Sequence, residues 1–121
     1  MIKFRAWDFD EKRMHDVLVI DWLNYLVDLD FGNIERPFER VKLMQYTGLK
    51  DKYGTEIYEG DILYLEPFKT HSNDRVVEHI DGAYHGKLIR NGYSKLLSEC
   101  VYETKIIGNI YENLELLEAA E

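Results

Sequence analysis

The side chains in this sequence that could do chemistry are a loose group of histidines, two pairs of closely spaced carboxylates and one cysteine. Of the four histidines, His71, His79 and His85 lie near one another, but no two are spaced i, i+2 or i, i+4. His71 falls in a polar stretch. His79 and His85 flank Asp81-Gly82, so a hairpin could bring them together across two strands, with Asp81 or Glu78 completing a zinc site. The simpler expectation is exposed polar residues on a hairpin and no bound metal. Asp8 with Asp10, and Glu59 with Asp61, are i, i+2 pairs that share a face if they lie on strands. Acid–base catalysis also needs a pocket that moves one pKa toward neutrality, and the sequence shows none. Turn residues and solvated faces explain both pairs, and Asp61 suits an Asx-type turn with the backbone following Gly60. Ser72, Ser94 and Ser98 lack a G-x-S-x-G setting, and the glycines form neither a G-x-G-x-x-G fingerprint nor a Walker loop. Cys100 is the only cysteine, which excludes an intramolecular disulfide and fits a reducing cytoplasm. It reads as a small buried apolar side chain. No catalytic residue and no cofactor follow from these patterns.

The elements that must position these residues are short. Ile2, Phe4 and Ala6 alternate with Lys3, Arg5 and Trp7, which predicts an N-terminal strand. After a charged turn at Phe9–Met14, Val17–Trp22 and Tyr25–Leu29 read as strands joined at Leu23-Asn24, with a break at Gly32-Asn33. Pro37 opens a short helix through Phe38–Val41. Leu43–Tyr46 returns to strand, and Ile62–Glu66 is a strand buried on both sides or bulged. Lys69–Asp74 is the expected mobile loop. Arg75–Ile80 and Ala83–Ile89 form a hairpin about Asp81-Gly82. Asn91-Gly92 is another turn, and Leu96–Cys100 is ambiguous. Thr104–Tyr111 is a strand in which Gly108 marks a bulge or a close backbone approach. Leu114–Ala120 is an acidic helix capped by Asn113. Seven or eight strands with frequent turns predict a mainly β fold: a small barrel-like antiparallel sheet with one or two short helices.

The chain has 121 residues, 45% of them hydrophobic, which predicts one globular domain over 1–121. No apolar run approaches a membrane span, and Met1–Trp7 carries no signal-peptide pattern. The formal charge is -8. Such a chain repels phosphate backbones, and its one basic cluster, Lys3, Arg5, Lys12 and Arg13, is interrupted by Asp8, Asp10 and Glu11. Direct nucleic-acid binding is therefore not expected. Nine tyrosines are a high count, and they suit half-buried sheet positions and wet interfaces equally.

Three blocks carry a family resemblance. The first is Ile2-Lys3-Phe4-Arg5-Ala6-Trp7-Asp8. The second runs Leu43-Met44-Gln45-Tyr46-Thr47-Gly48-Leu49-Lys50-Asp51-Lys52 and on through Gly54-Thr55-Glu56-Ile57-Tyr58-Glu59-Gly60-Asp61-Ile62. The third is Ile107-Gly108-Asn109-Ile110-Tyr111-Glu112-Asn113. In this order they resemble the YopX family of phage and prophage proteins from end to end, departing at Leu114, where the family commonly has proline. The resemblance implies a small protein of phage or prophage origin acting in the bacterial host cytoplasm, assembled as a homo-oligomer, with no catalytic residues to carry over. The motif residues Trp7, Tyr46, Gly48, Asp51, Gly54, Tyr58, Gly60, Asp61, Gly108, Asn109 and Tyr111 read as structural, because Gly48, Gly54 and Gly60, spaced by six, each sit where a β segment should turn. Gly60-Asp61-Ile62 leading into a strand also resembles part of an SH3-like barrel, an analogy of fold alone.

The expected function is that of a non-enzymatic accessory protein working through protein–protein contacts with itself or with a host or phage protein. Two alternatives stay open at this point. An acidic surface could mimic DNA and occupy a host nucleic-acid-binding protein, although the acids are spread along the chain with an excess in Glu99–Glu121. A small hydrolase using acidic residues would need a deep pocket around Asp61 or His79.

Overall fold

The computed structural model describes residues 2–30 and 34–119, so the break expected at Gly32-Asn33 and Ala120, where the expected C-terminal helix ends, lie outside the described residues. Contacts group the chain into two compact units, Met1–Tyr46 and Thr47–Glu121.

The first unit is built on hairpins. Strand β1 (Phe4–Asp8) pairs antiparallel with β2 (Arg13–Asp21), and β2 with β3 (Leu26–Leu29). The chain continues through β4 (Ile34–Pro37) and a single 3-10 turn at Phe38–Arg40, the short helix expected after Pro37. Strand β5 (Val41–Lys50) then returns beside β1 and runs on into the second unit. Residues directly opposite one another across a ladder share a face. Ala6 lies opposite both His15 and Leu43, Asp8 opposite Val41, Val17 opposite Leu29, and Val27 opposite Arg36. One face of this sheet is therefore apolar at Ala6, Val17, Val27, Leu29, Val41 and Leu43, which pack together as the unit's core. Asp8, His15 and Arg36 are polar interruptions of the same face.

The second unit holds β6 (Glu56–Tyr58), β7 (Asp61–Leu65), β8 (Arg75–Ile80), β9 (Ala83–Leu88), β10 (Ser94–Leu96), helix α1 (Leu97–Cys100), β11 (Thr104–Asn109) and helix α2 (Glu115–Ala119). β6 lies beside β5, and the other strands order as β10-β9-β8-β7-β11. Ile57, Leu63, Val77, Leu97 and Val101 form the core, with Leu49, Tyr84 and Ile106 against it.

The fold is mainly β with two short helices, as the alternation predicts. Three features depart from expectation. Among the described residues there are eleven strands, because Ile34–Pro37, Glu56–Tyr58 and Ser94–Leu96 are strands too short to show a period. Neither sheet order returns on itself, so both sheets are open and no barrel closes. The Lys69–Asp74 stretch, expected as a loop, follows a 3-10 turn at Glu66–Phe68, holds another at His71–Asn73 and ends on the fully buried Asp74.

The turn chemistry follows the sequence closely. Asp81 (φ 49°) and Gly82 (φ 86°) make the two-residue turn that Ile80 and Ala83 close. Gly108 marks the bulge expected of it, and its close neighbour is a side chain rather than a backbone. The β7–β11 register shifts between Ile106 and Gly108, and a Cβ on Gly108 would land on the Asn113 side chain.

Candidate functional site

The polar interruption of the first unit's core is the most unusual arrangement in the chain. Lys12 takes a left-handed conformation (φ 55°), and its N–H donates to Asp8 O at 2.8 Å, closing the turn that carries Asp10 and Glu11 back over the end of β1. Asp8 is fully buried. Its carboxylate accepts from Asp10 N–H at 3.0 Å and from Arg36 Nε at 3.2 and 3.3 Å. Arg36 reaches Glu11 Oε1 through Nη2 at 3.4 Å and lies 3.6 Å from Asp10 Oδ2. Asp10 is paired with Arg40, whose guanidinium hydrogen bond holds its carboxyl below the usual range.

His15, diagonal to Asp8 across the β1–β2 ladder, has a side chain wholly removed from solvent. Its Nδ1 lies 3.0 Å from Asp30 Oδ1 and 3.1 Å from Asp30 O. Both of those atoms accept, so Nδ1 carries the hydrogen and Nε2 is the nitrogen left over. Nε2 is buried and makes no hydrogen bond. One ligand atom each from Asp8, Glu11 and His15 fall within 4.8 Å of one another. Sequence reasoning missed Glu11, His15 and Arg36 here. The available signal was parity: His15 sits two residues before Val17 on a strand, at core spacing.

The residues that the sequence offers for chemistry do other things. His79 lies opposite Tyr84, and His85 opposite Glu78. Neighbouring positions on a strand point to opposite faces, so the hairpin separates these two histidines rather than joining them. The His79 ring instead packs edge-on to Tyr84 at 5.0 Å. His71 Nδ1 pairs with Asp74 Oδ2 at 2.7 Å. Asp61 is buried, and its Oδ2 accepts from Tyr58 N–H at 2.7 Å, reaching back before Gly60.

Several family-motif residues take part in backbone geometry. Asp51 Oδ1 accepts from Tyr53 N–H and Thr55 N–H, both at 2.9 Å, and Oδ2 from Ile106 N–H at 3.1 Å. Gly54 and Gly60 turn in the left-handed region, whereas Gly48, also left-handed, lies inside β5 and does not end it. Asn109 Oδ1 accepts from Tyr111 N–H and Glu112 N–H at 3.0 and 2.9 Å. Asn113 Oδ1 accepts from Asn109 N–H at 3.1 Å, and α2 starts on the Asn113 backbone carbonyl. Trp7 is buried, and Lys3 Nζ stands 5.1 Å from the centre of the Tyr46 ring.

A pocket of about 340 Å³ opens in the second unit among Arg75, Lys95, Glu99, Cys100, Tyr102 and Glu103. Burial pushes the Cys100 thiol up, which keeps it protonated and a poor nucleophile. Neither Asp61 nor His79 lines this pocket, so the hydrolase alternative gains nothing from it.

The second unusual feature is the tip of the β2–β3 hairpin. Leu18, Val19, Trp22, Leu23 and Tyr25 are all exposed, Leu23 at 85% and Trp22 at 63%. The tip is nevertheless tightly built. Asp21 Oδ1 accepts from Leu23 N–H and Asn24 N–H at 3.0 and 3.1 Å, and Asp21 Oδ2 from Asn24 Nδ2 at 2.8 Å. Trp22 and Tyr25 meet Phe38 edge-on at 5.5 and 5.9 Å. Tyr25 sits in the left-handed region (φ 58°), a conformation unfavourable for a bulky side chain.

No helix among the described residues is long and apolar enough to cross a membrane. A comparison with curated proteins finds no match. Among solved structures, protein EF1440 from Enterococcus faecalis is similar at 32% identity, over 97% of this chain and 98% of that one, with a TM-score of 0.75. Protein yopX from Bacillus subtilis shares the fold at 19% identity, over 94% of this chain and 96% of that one, with a TM-score of 0.63. The model of the YopX protein family matches residues 3–118, and with nearly its whole length so matched the chain belongs to that family.

Proposed function

We propose that the chain is a non-enzymatic accessory protein, encoded by a phage or prophage and working in the bacterial cytoplasm, that acts through protein–protein contacts made by the β2–β3 hairpin. One observation carries the reading: five large apolar residues, Leu18 and Val19 on β2 and Trp22, Leu23 and Tyr25 at the turn that Asp21 hydrogen-bonds, are exposed on this one hairpin. Exposed apolar surface of this kind marks interaction sites, and Trp and Tyr are over-represented among the residues that dominate binding energy. A turn already ordered before binding loses less entropy on association. The phage context and self-association are what the family resemblance implies, and a second copy of the chain is the first partner to test.

Sedimentation velocity over a concentration series tests this, comparing the unaltered chain with a Trp22→Ser/Leu23→Ser variant. The unaltered chain should associate as concentration rises. The variant should stay monomeric and folded, its melting temperature lowered only by the loss of the Trp22–Phe38 contact. A chain that remains monomeric throughout, and that retrieves from bacterial lysate nothing the variant fails to retrieve, would overturn the reading.

A further inference from the structure

We propose that Asp8, Glu11 and His15 form a binding site for a divalent transition-metal ion, with zinc as the ion their chemistry suits best. Three observations converge on it. The donor set of one imidazole and two carboxylates is one that zinc accepts, whereas the imidazole disfavours calcium and magnesium. The three ligand atoms lie within 4.8 Å of one another. Tetrahedral zinc bonds of about 2.0–2.2 Å place donors about 3.3–3.6 Å apart, so an inward movement of the side chains by up to about 1.5 Å closes the site.

The third observation is His15 itself. Its ring is fully buried, Nδ1 is engaged by Asp30, and Nε2 has no partner. A buried polar atom left unpaired is unfavourable, and a metal would satisfy it. The Asp30–His15 pairing also matches the carboxylate-to-histidine contact that orients metal-ligating imidazoles elsewhere and raises their basicity. The local charge is balanced. Asp8, Asp10, Glu11 and Asp30 gather around this corner, with Arg36 and Arg40 paired to them and Lys12 and Arg13 following Glu11 in the chain, so the carboxylates are matched by cations that a metal must compete with.

Arg36 is the competitor. It holds both oxygens of the Asp8 carboxylate, and a metal must displace it. Asp10 Oδ2, already 3.6 Å from Arg36 Nε, provides the place to which it moves. Three protein ligands leave one tetrahedral position for water or for a side chain from a partner.

Calorimetric titration with zinc chloride, read beside a cobalt(II) absorption spectrum, tests the assignment. The unaltered chain should take one zinc per chain and show cobalt bands of a nitrogen- and oxygen-ligated site. Glu11 lies on the turn and bears little on folding, so Glu11→Gln should keep its metal-free melting temperature and lose affinity at least about tenfold. Arg36→Gln removes the competing cation and should bind more tightly than the unaltered chain. His15→Ala could fail to fold, so the ligand is checked in the unaltered chain by the nitrogen NMR signal of His15 Nε2, which zinc should shift. The proposal is overturned if the unaltered chain binds no zinc. It is also overturned if Glu11→Gln binds as well as the unaltered chain, or if binding disappears in His71→Ala or His79→Ala instead.

Discussion

Asp51 and Asp8 are both buried carboxylates at β-turns, one in each unit, and they are held in opposite ways. Asp51 is satisfied by three backbone N–H groups, from Tyr53, Thr55 and Ile106. Asp8 accepts one backbone N–H and depends otherwise on the Arg36 side chain, beside a histidine nitrogen with no partner at all. Backbone donors cannot leave without unfolding the turn, so Asp51 is committed to structure. A side-chain donor can swing away, so Asp8 can change partners. The same contrast runs through the two units. In the second, the motif glycines and Asn109 complete turns. In the first, an apolar hairpin tip is held rigid and left uncovered.

The contrast can be broken by substitution, beginning with the largest effect. Asp51→Ala strands three amide groups at once and should lower stability by about 3 kcal/mol or more in urea denaturation, because each orphaned buried donor costs about 1–3 kcal/mol. Arg36→Gln leaves the Asp8 charge buried without its cation. Its cost should be about 2 kcal/mol, below the roughly 3–5 kcal/mol of a fully buried pair because Arg36 is partly exposed. Zinc should restore part of that loss, and equimolar zinc should do nothing for Asp51→Ala. Gly108→Ala drives a methyl group into Asn113 and should cost about 1–3 kcal/mol. Adding Asn113→Ala should return part of it, a non-additivity that a double-mutant cycle reads directly.

A smaller effect concerns pH. Burial raises the Asp74 carboxyl, and the hydrogen bond from His71 only partly opposes it. The folded chain therefore holds this proton to higher pH than the unfolded chain, whose group titrates near 3.8. The contribution of Asp74 to stability is fully present below that value and is lost as pH rises through the folded value. Asp74→Asn should flatten this part of the melting-temperature profile. The smallest effect on stability belongs to Trp22→Ser/Leu23→Ser, about 0.5–1 kcal/mol for the lost edge-on contact of Trp22 with Phe38, while association is abolished.

Local chemistry made much of the fold legible. Asp81-Gly82 names its own turn because both central residues need positive φ. Gly108 announces a bulge because glycine inside a strand is otherwise unfavourable. The closing of a barrel was not legible, since open and closed sheets share one alternation and differ only in which edge strands meet. The candidate site was largely hidden for a related reason. His79 and His85 draw attention by proximity along the chain, yet register sends them to opposite faces. Asp8 and Arg36 are distant in sequence and meet only once Val27 lies opposite Arg36 and Ala6 opposite His15. In sequence the hairpin tip reads only as strand and turn. Its exposure depends on which strands flank it, which no periodicity reports.

Hydrogen exchange followed by mass spectrometry across a concentration series addresses the account's main claim at the level of individual segments. As copies of the chain come together, amides around Trp22–Tyr25 should exchange more slowly while those of the Gly48–Asp61 block keep their rates. Slowing confined to the Gly48–Asp61 block, or none in the hairpin at concentrations where association is complete, would contradict it.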